Sequence, residues 1–210
     1  MSRTTPDLSH HHRFVPPAGG PERAPLLLLH GTGGDENDLL ALGAAVRPGA
    51  ALLSPRGRVL ENGMPRFFRR LAEGVFDEAD VIARAGELAR FVEAARAAYG
   101  LAAPVAVGFS NGANIAAALL MLEPGLLAGA ALIRPMVPLA APPAFRLSGR
   151  PVLILSGAGD PIVPAENAAC LAALLEGGGA GVRHEILPVG HGLSQMDLSL
   201  ARDWLDAEAP

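Results

Sequence analysis

Short apolar segments bounded by glycine or proline alternate with longer amphipathic segments along this 210-residue chain. An apolar run of about four to eight residues is typical of a strand buried on both faces, as in a parallel sheet. Strands are therefore predicted at residues 25–30, 51–54, 105–109, 129–133, 152–156 and 182–187. Helices are predicted at residues 36–46, 80–99, 111–122 and 165–175. This order predicts an α/β fold, with a doubly wound, mostly parallel sheet flanked by helices.

The length of the chain fits one domain, which we place at residues 21–210, preceded by a flexible arm at residues 1–20. Residues 134–150 are rich in proline and are predicted to form a surface excursion. No insertion is long enough for a large lid domain. Ligands of doubly wound sheets bind beyond the carboxyl ends of the strands, so polar residues at those ends are the first candidates for a site.

The composition excludes several kinds of chemistry. A net charge of only -4 argues against a nucleic-acid partner. All 17 basic residues are arginine, which excludes a lysine Schiff base and a P-loop lysine. The single cysteine, Cys170 on a predicted helix, excludes an internal disulfide and every multi-cysteine zinc site.

The amino terminus carries no feature that assigns it a function. It lacks the apolar core of a signal peptide, and no apolar run approaches the roughly 18 residues of a membrane span. We therefore expect a cytoplasmic protein with no membrane span. The triplet His10, His11 and His12 can be read as a metal tract or as part of a solvated arm. We favour the solvated arm and predict no metal site, because neighbouring residues in an unanchored terminus rarely converge on one ion.

The segment VAVGFSNGAN contains the pattern Gly-x-Ser-x-Gly, with Ser110 between Gly108 and Gly112. It can be an ordinary turn, since glycine and serine are common turn residues, or a nucleophile elbow. With this serine and glycine content, chance predicts about 0.1 copies, so the pattern alone is only moderately specific. Its context favours the elbow, because a predicted strand precedes Ser110 and a predicted helix follows it.

A serine nucleophile needs a base and an orienting acid. His191 is the predicted base, because it follows the last predicted strand between two glycines, whereas His30 reads as a packed residue and His184 as part of a strand. Asp160 is the predicted acid, since it follows the strand at residues 152–156, although an aspartate there can also cap a helix or a turn. The order Ser110, Asp160, His191 matches the order of nucleophile, acid and base in α/β hydrolases.

An oxyanion hole would complete such a site. One donor is predicted to be the backbone N–H of Asn111, directly after the nucleophile, and the other the N–H of Thr32 in the loop LLLLHGTGGDEND. The rival interpretation of that loop, a phosphate-binding glycine loop, lacks both the dinucleotide spacing and the P-loop lysine.

Five segments, LHGTGGDEND, PRFFRRLAEGVFDEAD, GFSNGANIA, GDPIVP and GHGLS, occur in this order between about residue 25 and the carboxyl terminus. Together they resemble the phospholipase/carboxylesterase family of small α/β hydrolases. That family contains carboxylesterases, lysophospholipases and acyl-protein thioesterases. Asparagine after the nucleophile, where the thioesterase branch usually carries glutamine, is more similar to the bacterial branch linked to hydroquinone-type compounds.

The resemblance implies a serine hydrolase that acts on carboxylic or thio esters without a cofactor. It implies Ser110, Asp160 and His191 as the triad, and Thr32 and Asn111 as the oxyanion donors. The expected activity is that of a carboxylesterase on small acyl or aryl esters. Lysophospholipase and acyl thioesterase activities are the alternatives, and family precedent allows a homodimer.

The segment PRFFRR resembles the stretch that lines the pocket in this family, so Phe67 and Phe68 are predicted to contact the acyl or aryl group of the substrate. The alternative is that a phenylalanine here belongs to the core and the arginines to a solvated face. If Arg66 or Arg69 points inward, the substrate is expected to be acidic or phenolic.

Two further hypotheses concern proteins of the same fold. A hydrolase fold that serves only as a binding module would usually have lost a triad residue, and this chain keeps candidates for all three. A dienelactone hydrolase would carry cysteine at the position of Ser110.

Overall fold

Eleven strands and five helices make up the computed structural model, which describes residues 8–18 and 23–209. The strands are β1 (His12–Val15), β2 (Leu26–Leu29), β3 (Leu52–Pro55), β4 (Val59–Glu61), β5 (Met64–Arg66), β6 (Arg70–Ala72), β7 (Val75–Phe76), β8 (Val105–Phe109), β9 (Gly129–Ile133), β10 (Pro151–Gly157) and β11 (Gly181–Leu187). The helices are α1 (Leu40–Val46), α2 (Glu78–Tyr99), α3 (Asn111–Leu122), α4 (Ala165–Gly177) and α5 (Gln195–Ala207).

Seven of the strands form one central sheet in the order β1-β3-β2-β8-β9-β10-β11. Every neighbouring pair is parallel except β1 and β3, which are antiparallel. The predicted α/β fold with a mostly parallel sheet is thereby confirmed. The carboxyl ends of β2, β8 and β10 lie at the same edge of the sheet, where the predicted site residues follow them.

Helices cover both faces of this sheet. Leu27 and Leu29 of β2 belong to the core beneath α2, α3 and α4, whereas Leu26 and Leu28 belong to the core beneath α1 and α5. Successive residues of a strand point to opposite faces, so a strand covered on both sides must be apolar throughout. In the described part of the chain, no helix has both the length and the apolarity needed to cross a membrane.

The prediction of a flexible arm is wrong for residues 12–15, because they form β1 and pair with β3. Aromatic contacts with α2 hold this region. The ring of Phe14 stacks on Tyr99 at 4.0 Å, Nε2 of His12 lies 2.7 Å from the Tyr99 hydroxyl, and the rings of His10 and Phe91 are 4.7 Å apart. His10 is buried and His12 is half-buried, so only His11 of the histidine triplet is exposed as a solvated arm would be. Residues 1–7 and 19–20 of the predicted arm lie outside the described residues.

Two short hairpins, β4–β5 and β6–β7, were not predicted, and both lie beside the candidate site. The first turns at Asn62 and Gly63, which both have a positive φ and form the Asn-Gly pair that favours a tight hairpin.

Two other expectations need correction. Helix α1 begins at Leu40 rather than at residue 36, and residues 134–136 are buried instead of lying in a surface excursion.

Candidate active site

Ser110 occupies the sharp turn between β8 and α3. Its φ is +52°, a left-handed conformation that costs a residue with a Cβ on the order of 1–3 kcal/mol. The Ser110 N–H donates to the carbonyl of Ile133 at 2.8 Å, and the Ser110 carbonyl accepts from Asn114 at 3.0 Å. These two bonds hold the strained turn in place and present the side chain at the end of the sheet.

The two glycines of the elbow allow a close approach that no other residue would permit. A Cβ on Gly112 would overlap the backbone carbonyl of Leu29 in the neighbouring strand β2. A Cβ on Gly108 would lie 2.6 Å from the carbonyl oxygen of Gly112. Helix α3 can therefore start directly against the sheet only because both positions lack a side chain.

The structure brings Ser110, His191 and Asp160 into one hydrogen-bonded row. Nε2 of His191 lies 3.0 Å from Oγ of Ser110, and Nδ1 of the same ring lies 2.8 Å from Oδ2 of Asp160. These distances are those expected of a nucleophile, a base and an orienting acid. Within this row the ring can accept the serine proton at Nε2 while the carboxylate accepts the hydrogen bond of Nδ1–H.

Asp160 is held in its ionised form. Burial of the carboxyl opposes ionisation, but hydrogen bonds from the backbone N–H groups of Val163 and Ile162 and the contact with His191 outweigh it, so the pKa lies below its ordinary value. The two backbone bonds go to Oδ1 at 3.0 and 2.8 Å, leaving Oδ2 for the imidazole. Residue 160 therefore caps a turn and orients the histidine at the same time.

The loop that carries His191 is fastened by a buried ion pair. Arg134 donates to the carbonyls of Gly190 at 3.0 Å and Gly192 at 3.4 Å, the residues on either side of His191. Its guanidinium also forms a two-pronged ion pair with Asp197 at 2.8 and 2.9 Å, and both side chains are fully buried. Asp197 in turn accepts from the N–H and hydroxyl of Ser194, which caps α5.

The ion pair of Arg134 and Asp197 was not predicted from the sequence. The proline-rich pattern predicts a surface excursion at Arg134, and Asp197 comes after His191 in the chain, where the expected order of nucleophile, acid and base leaves no place for another carboxylate. A signal was available. Arg134 directly follows a predicted strand, at the edge of the sheet where the site residues of such folds collect.

Thr32 and Asn111, the predicted oxyanion donors, both line the cavity beside Ser110. The last residue of β5 and the residue after it contact both of them. Arg66 donates through Nη1 to Oγ1 of Thr32 at 2.7 Å, and the backbone N–H of Phe67 donates to Oδ1 of Asn111 at 2.7 Å. The two candidate donors are thus positioned by consecutive residues.

A cavity of about 250 Å³ opens at the serine. Its wall is mixed in character, with both apolar and charged side chains. The lining residues are Thr32, Arg66, Arg70, Glu73, Gly74, Phe76, Phe109, Ser110, Asn111, Asn114, Arg134, Met136, Ile162, Val163 and His191.

The placement of Phe67 and Phe68 differs from the expectation that they contact substrate. Both rings are buried in the core, and neither lines the cavity. The phenylalanines that line it are Phe76 and Phe109. Phe68 supports the wall from behind, with its ring centroid 5.1 Å from that of Phe76.

Of the two arginines that the sequence offers for the site, Arg66 faces the cavity and Arg69 does not. The Arg66 side chain is 4% exposed and that of Arg69 is 62% exposed. Burial lowers the pKa of the Arg66 guanidinium, an effect that nearby Glu61 opposes. Arg69 instead pairs with Asp77 at the start of α2.

His30 and His184 lie where the sequence placed them. His30 is buried, and its Nε2 accepts a hydrogen bond from the N–H of Gly57 at 2.9 Å. His184 lies in β11 with Nε2 2.7 Å from Oγ of Ser156. Burial lowers the pKa of both rings. Among residues 8–18 and 23–209, no group of three histidine, cysteine, aspartate or glutamate residues is placed to hold a metal ion.

Comparison with known proteins gives close relatives along nearly the whole chain, although no protein-family model matches the sequence. MhqD of Bacillus subtilis (strain 168), a protein named as a hydrolase, is 47% identical over 181 residues, which are 85% of this chain and 90% of MhqD. The crystal structure of the Bacillus cereus carboxylesterase matches with a TM-score of 0.92 and 44% identity over 95% of both chains. A carboxylesterase from Mesorhizobium loti matches with a TM-score of 0.90 and 35% identity over 96% of both chains.

Proposed function

Because this chain belongs to the phospholipase/carboxylesterase family of α/β hydrolases, we propose that it is a serine carboxylesterase that cleaves small esters through an acyl-enzyme intermediate. The relatives named as a hydrolase and as carboxylesterases support a hydrolase. The single observation that carries the finer assignment is the hydrogen-bonded row of Ser110, His191 and Asp160 at the mouth of a cavity.

In the acylation step, Nε2 of His191 takes the hydroxyl proton of Ser110 as Oγ attacks the ester carbonyl carbon. The carbonyl oxygen becomes an oxyanion, which accepts hydrogen bonds from the N–H groups of Thr32 and Asn111. The intermediate collapses, and the imidazolium gives its proton to the departing alcohol. The product of this step is an ester between the acyl group and Ser110.

Water then completes the cycle. His191 takes a proton from the water molecule as its oxygen attacks the acyl-enzyme, and returns that proton to Oγ when the carboxylic acid leaves. Asp160 stays ionised throughout, because its lowered pKa keeps the carboxylate charged at neutral pH. Its charge stabilises the imidazolium that forms in both steps.

The cavity volume sets an expectation for chain length. A cavity of about 250 Å³ accepts a short acyl group, whereas a long chain must extend into solvent. For p-nitrophenyl esters we expect kcat/KM to be highest for acetate or butanoate and about tenfold lower for dodecanoate, measured by release of p-nitrophenolate. A rate that rises steadily with chain length would contradict a small-ester enzyme and favour the lysophospholipase alternative.

Labelling with a fluorophosphonate tests the nucleophile without any choice of ester. The reagent is expected to modify Ser110 alone among the serines, with the adduct located by peptide mass spectrometry. Among the serines that the structure describes, only Ser110 combines a histidine ring nitrogen at 3.0 Å with an open cavity. A folded protein that remains unlabelled and hydrolyses no ester would favour the binding module, which is the alternative from another class of protein.

A further inference from the structure

Arg66 has hydrogen-bond donors that the protein does not use. Its Nε donates to the carbonyl of Phe68 at 3.2 Å and lies 3.2 Å from Oε2 of Glu61, while Nη1 donates to Thr32. Within the described chain, no protein atom accepts a hydrogen bond from Nη2. Because the side chain is 4% exposed and lines the cavity, its small free surface faces the space beside Ser110.

The part of the cavity wall formed by Arg66 and Arg70 carries an excess of one positive charge, because the two arginines share one acidic partner. Glu61 is the acidic partner of both Arg66 and Arg70, which lies 2.8 Å from it and also lines the cavity. Arg134, the remaining arginine of the lining, is already paired with Asp197. Glu73 is exposed on the turn between β6 and β7, so solvent screens its charge.

Glu61 is shared by Arg66 and Arg70, so it compensates only one of the two guanidinium charges, and a second anion at the cavity would compensate the other. A carboxylate suits this position, because it is small enough to share a cavity of about 250 Å³ with an ester group. The guanidinium is a planar fork that matches the two oxygens of a carboxylate, and charge-assisted pairs of this kind are about twice as strong as neutral hydrogen bonds. A ligand bound at Ser110 with a carboxylate close to its ester group would supply the missing acceptor.

We propose that Arg66, with Arg70 beside it, binds a carboxylate of the substrate, so that the preferred substrates are small esters that carry a free carboxylate in the acyl or alcohol part. This inference rests on the proposed esterase function and narrows its substrate class. It makes Arg66 a residue that determines specificity, in addition to its contact with Thr32.

Pairs of esters of equal shape test the proposal directly. Monoethyl succinate and ethyl levulinate differ only in a carboxylate against a methyl ketone in the acyl part. The pair γ-acetoxybutyrate and its methyl ketone analogue places the same difference in the alcohol part. With kcat/KM measured by pH-stat titration, we expect the wild-type protein to prefer the anionic member of at least one pair by about 10-fold to 100-fold. The pair that shows the preference identifies the side on which the carboxylate binds.

Arg66→Met is expected to remove this preference and bring the ratio of the two kcat/KM values close to one. Arg69→Met is the matched control, because it removes the same charge from the same segment at a side chain that does not line the cavity. It is expected to keep the wild-type ratio. If Arg66→Met does not fold, Arg70→Met replaces it and is expected to lower the ratio severalfold.

The outcomes separate this inference from the proposed function. Hydrolysis of the neutral esters with no preference for either anionic partner overturns the inference and leaves the esterase function standing. An equal loss for both members of a pair in Arg66→Met also overturns it, since the charge would then act on the oxyanion hole rather than on the substrate. If the folded protein cleaves p-nitrophenyl acetate but none of the four esters, the inference is wrong and the esterase function stands. If it cleaves neither, both proposals are wrong.

Discussion

Ser110→Ala is expected to lower kcat/KM for p-nitrophenyl acetate by about 10⁴-fold or more while the protein stays folded. The hydroxyl oxygen is the atom that attacks the substrate in the proposed mechanism, and no neighbouring side chain can replace it. Removing it leaves the backbone turn unchanged, because alanine retains the Cβ and the same bonds to Ile133 and Asn114 are available. Circular dichroism and thermal melting would establish that the variant is folded.

Ser156→Ala is the matched control for this experiment. Ser156 also lies 2.7 Å from a histidine ring nitrogen, that of His184, but it is buried and does not line the cavity. Its loss is expected to cost stability on the order of 1 kcal/mol without abolishing turnover. A folded Ser110→Ala protein with wild-type activity, or inactivation by Ser156→Ala alone, would show that the nucleophile is misassigned.

Arg134→Met should cause a large loss of stability, about 3–5 kcal/mol in the free energy of unfolding. The substitution leaves Asp197 as an uncompensated buried charge and removes the donors for the carbonyls of Gly190 and Gly192. Urea unfolding would measure the change. Since the same donors fix the loop of His191, kcat should also fall in conditions where the variant remains folded.

Two controls separate the buried pair from a general effect of losing an arginine. Arg183→Met removes an exposed pair with Glu185 and is expected to leave the free energy of unfolding nearly unchanged. The double variant Arg134→Met with Asp197→Leu removes both charges and should be more stable than Arg134→Met alone. If the urea midpoint of unfolding of Arg134→Met equals that of the wild type, the ion pair of Arg134 and Asp197 contributes nothing to stability.

The centre of the fold was predictable from the sequence because its strands are buried on both faces. Residues 105–109, 129–133 and 111–122 have the same bounds in the prediction and in the structure. The two hairpins were missed for a different reason. Their strands are only two or three residues long, too short for a period-two pattern, and the Asn-Gly pair at Asn62 and Gly63 was the only local signal.

The candidate site also has a part that was predictable from the sequence and a part that was not. The sequence alone was enough to identify Ser110, Asp160 and His191 as candidates, because each follows the end of a strand and they occur in the expected chain order. The direction of the rings in the segment PRFFRR was not predictable, because it depends on what α2 and α3 pack against. The adjacent residues Phe67 and Phe68 both point into the core, and Phe76 lines the cavity instead. Phe76 lies in a hairpin that the sequence did not predict.

Residues 65–67, at the end of β5, contact the segments on both sides of the cavity that contain Thr32 and Asn111. Arg66 holds the loop of Thr32 from one side, and the next residue holds Asn111 from the other, while the N–H of Gly33 donates to the carbonyl of Pro65 at 3.0 Å. None of these contacts passes through the central sheet. We therefore expect insertions or substitutions at residues 64–67 to shift Thr32 and Asn111, the two proposed oxyanion donors, together. This short stretch is then a place to alter substrate range while the hydrogen-bonded row of Ser110, His191 and Asp160 stays intact.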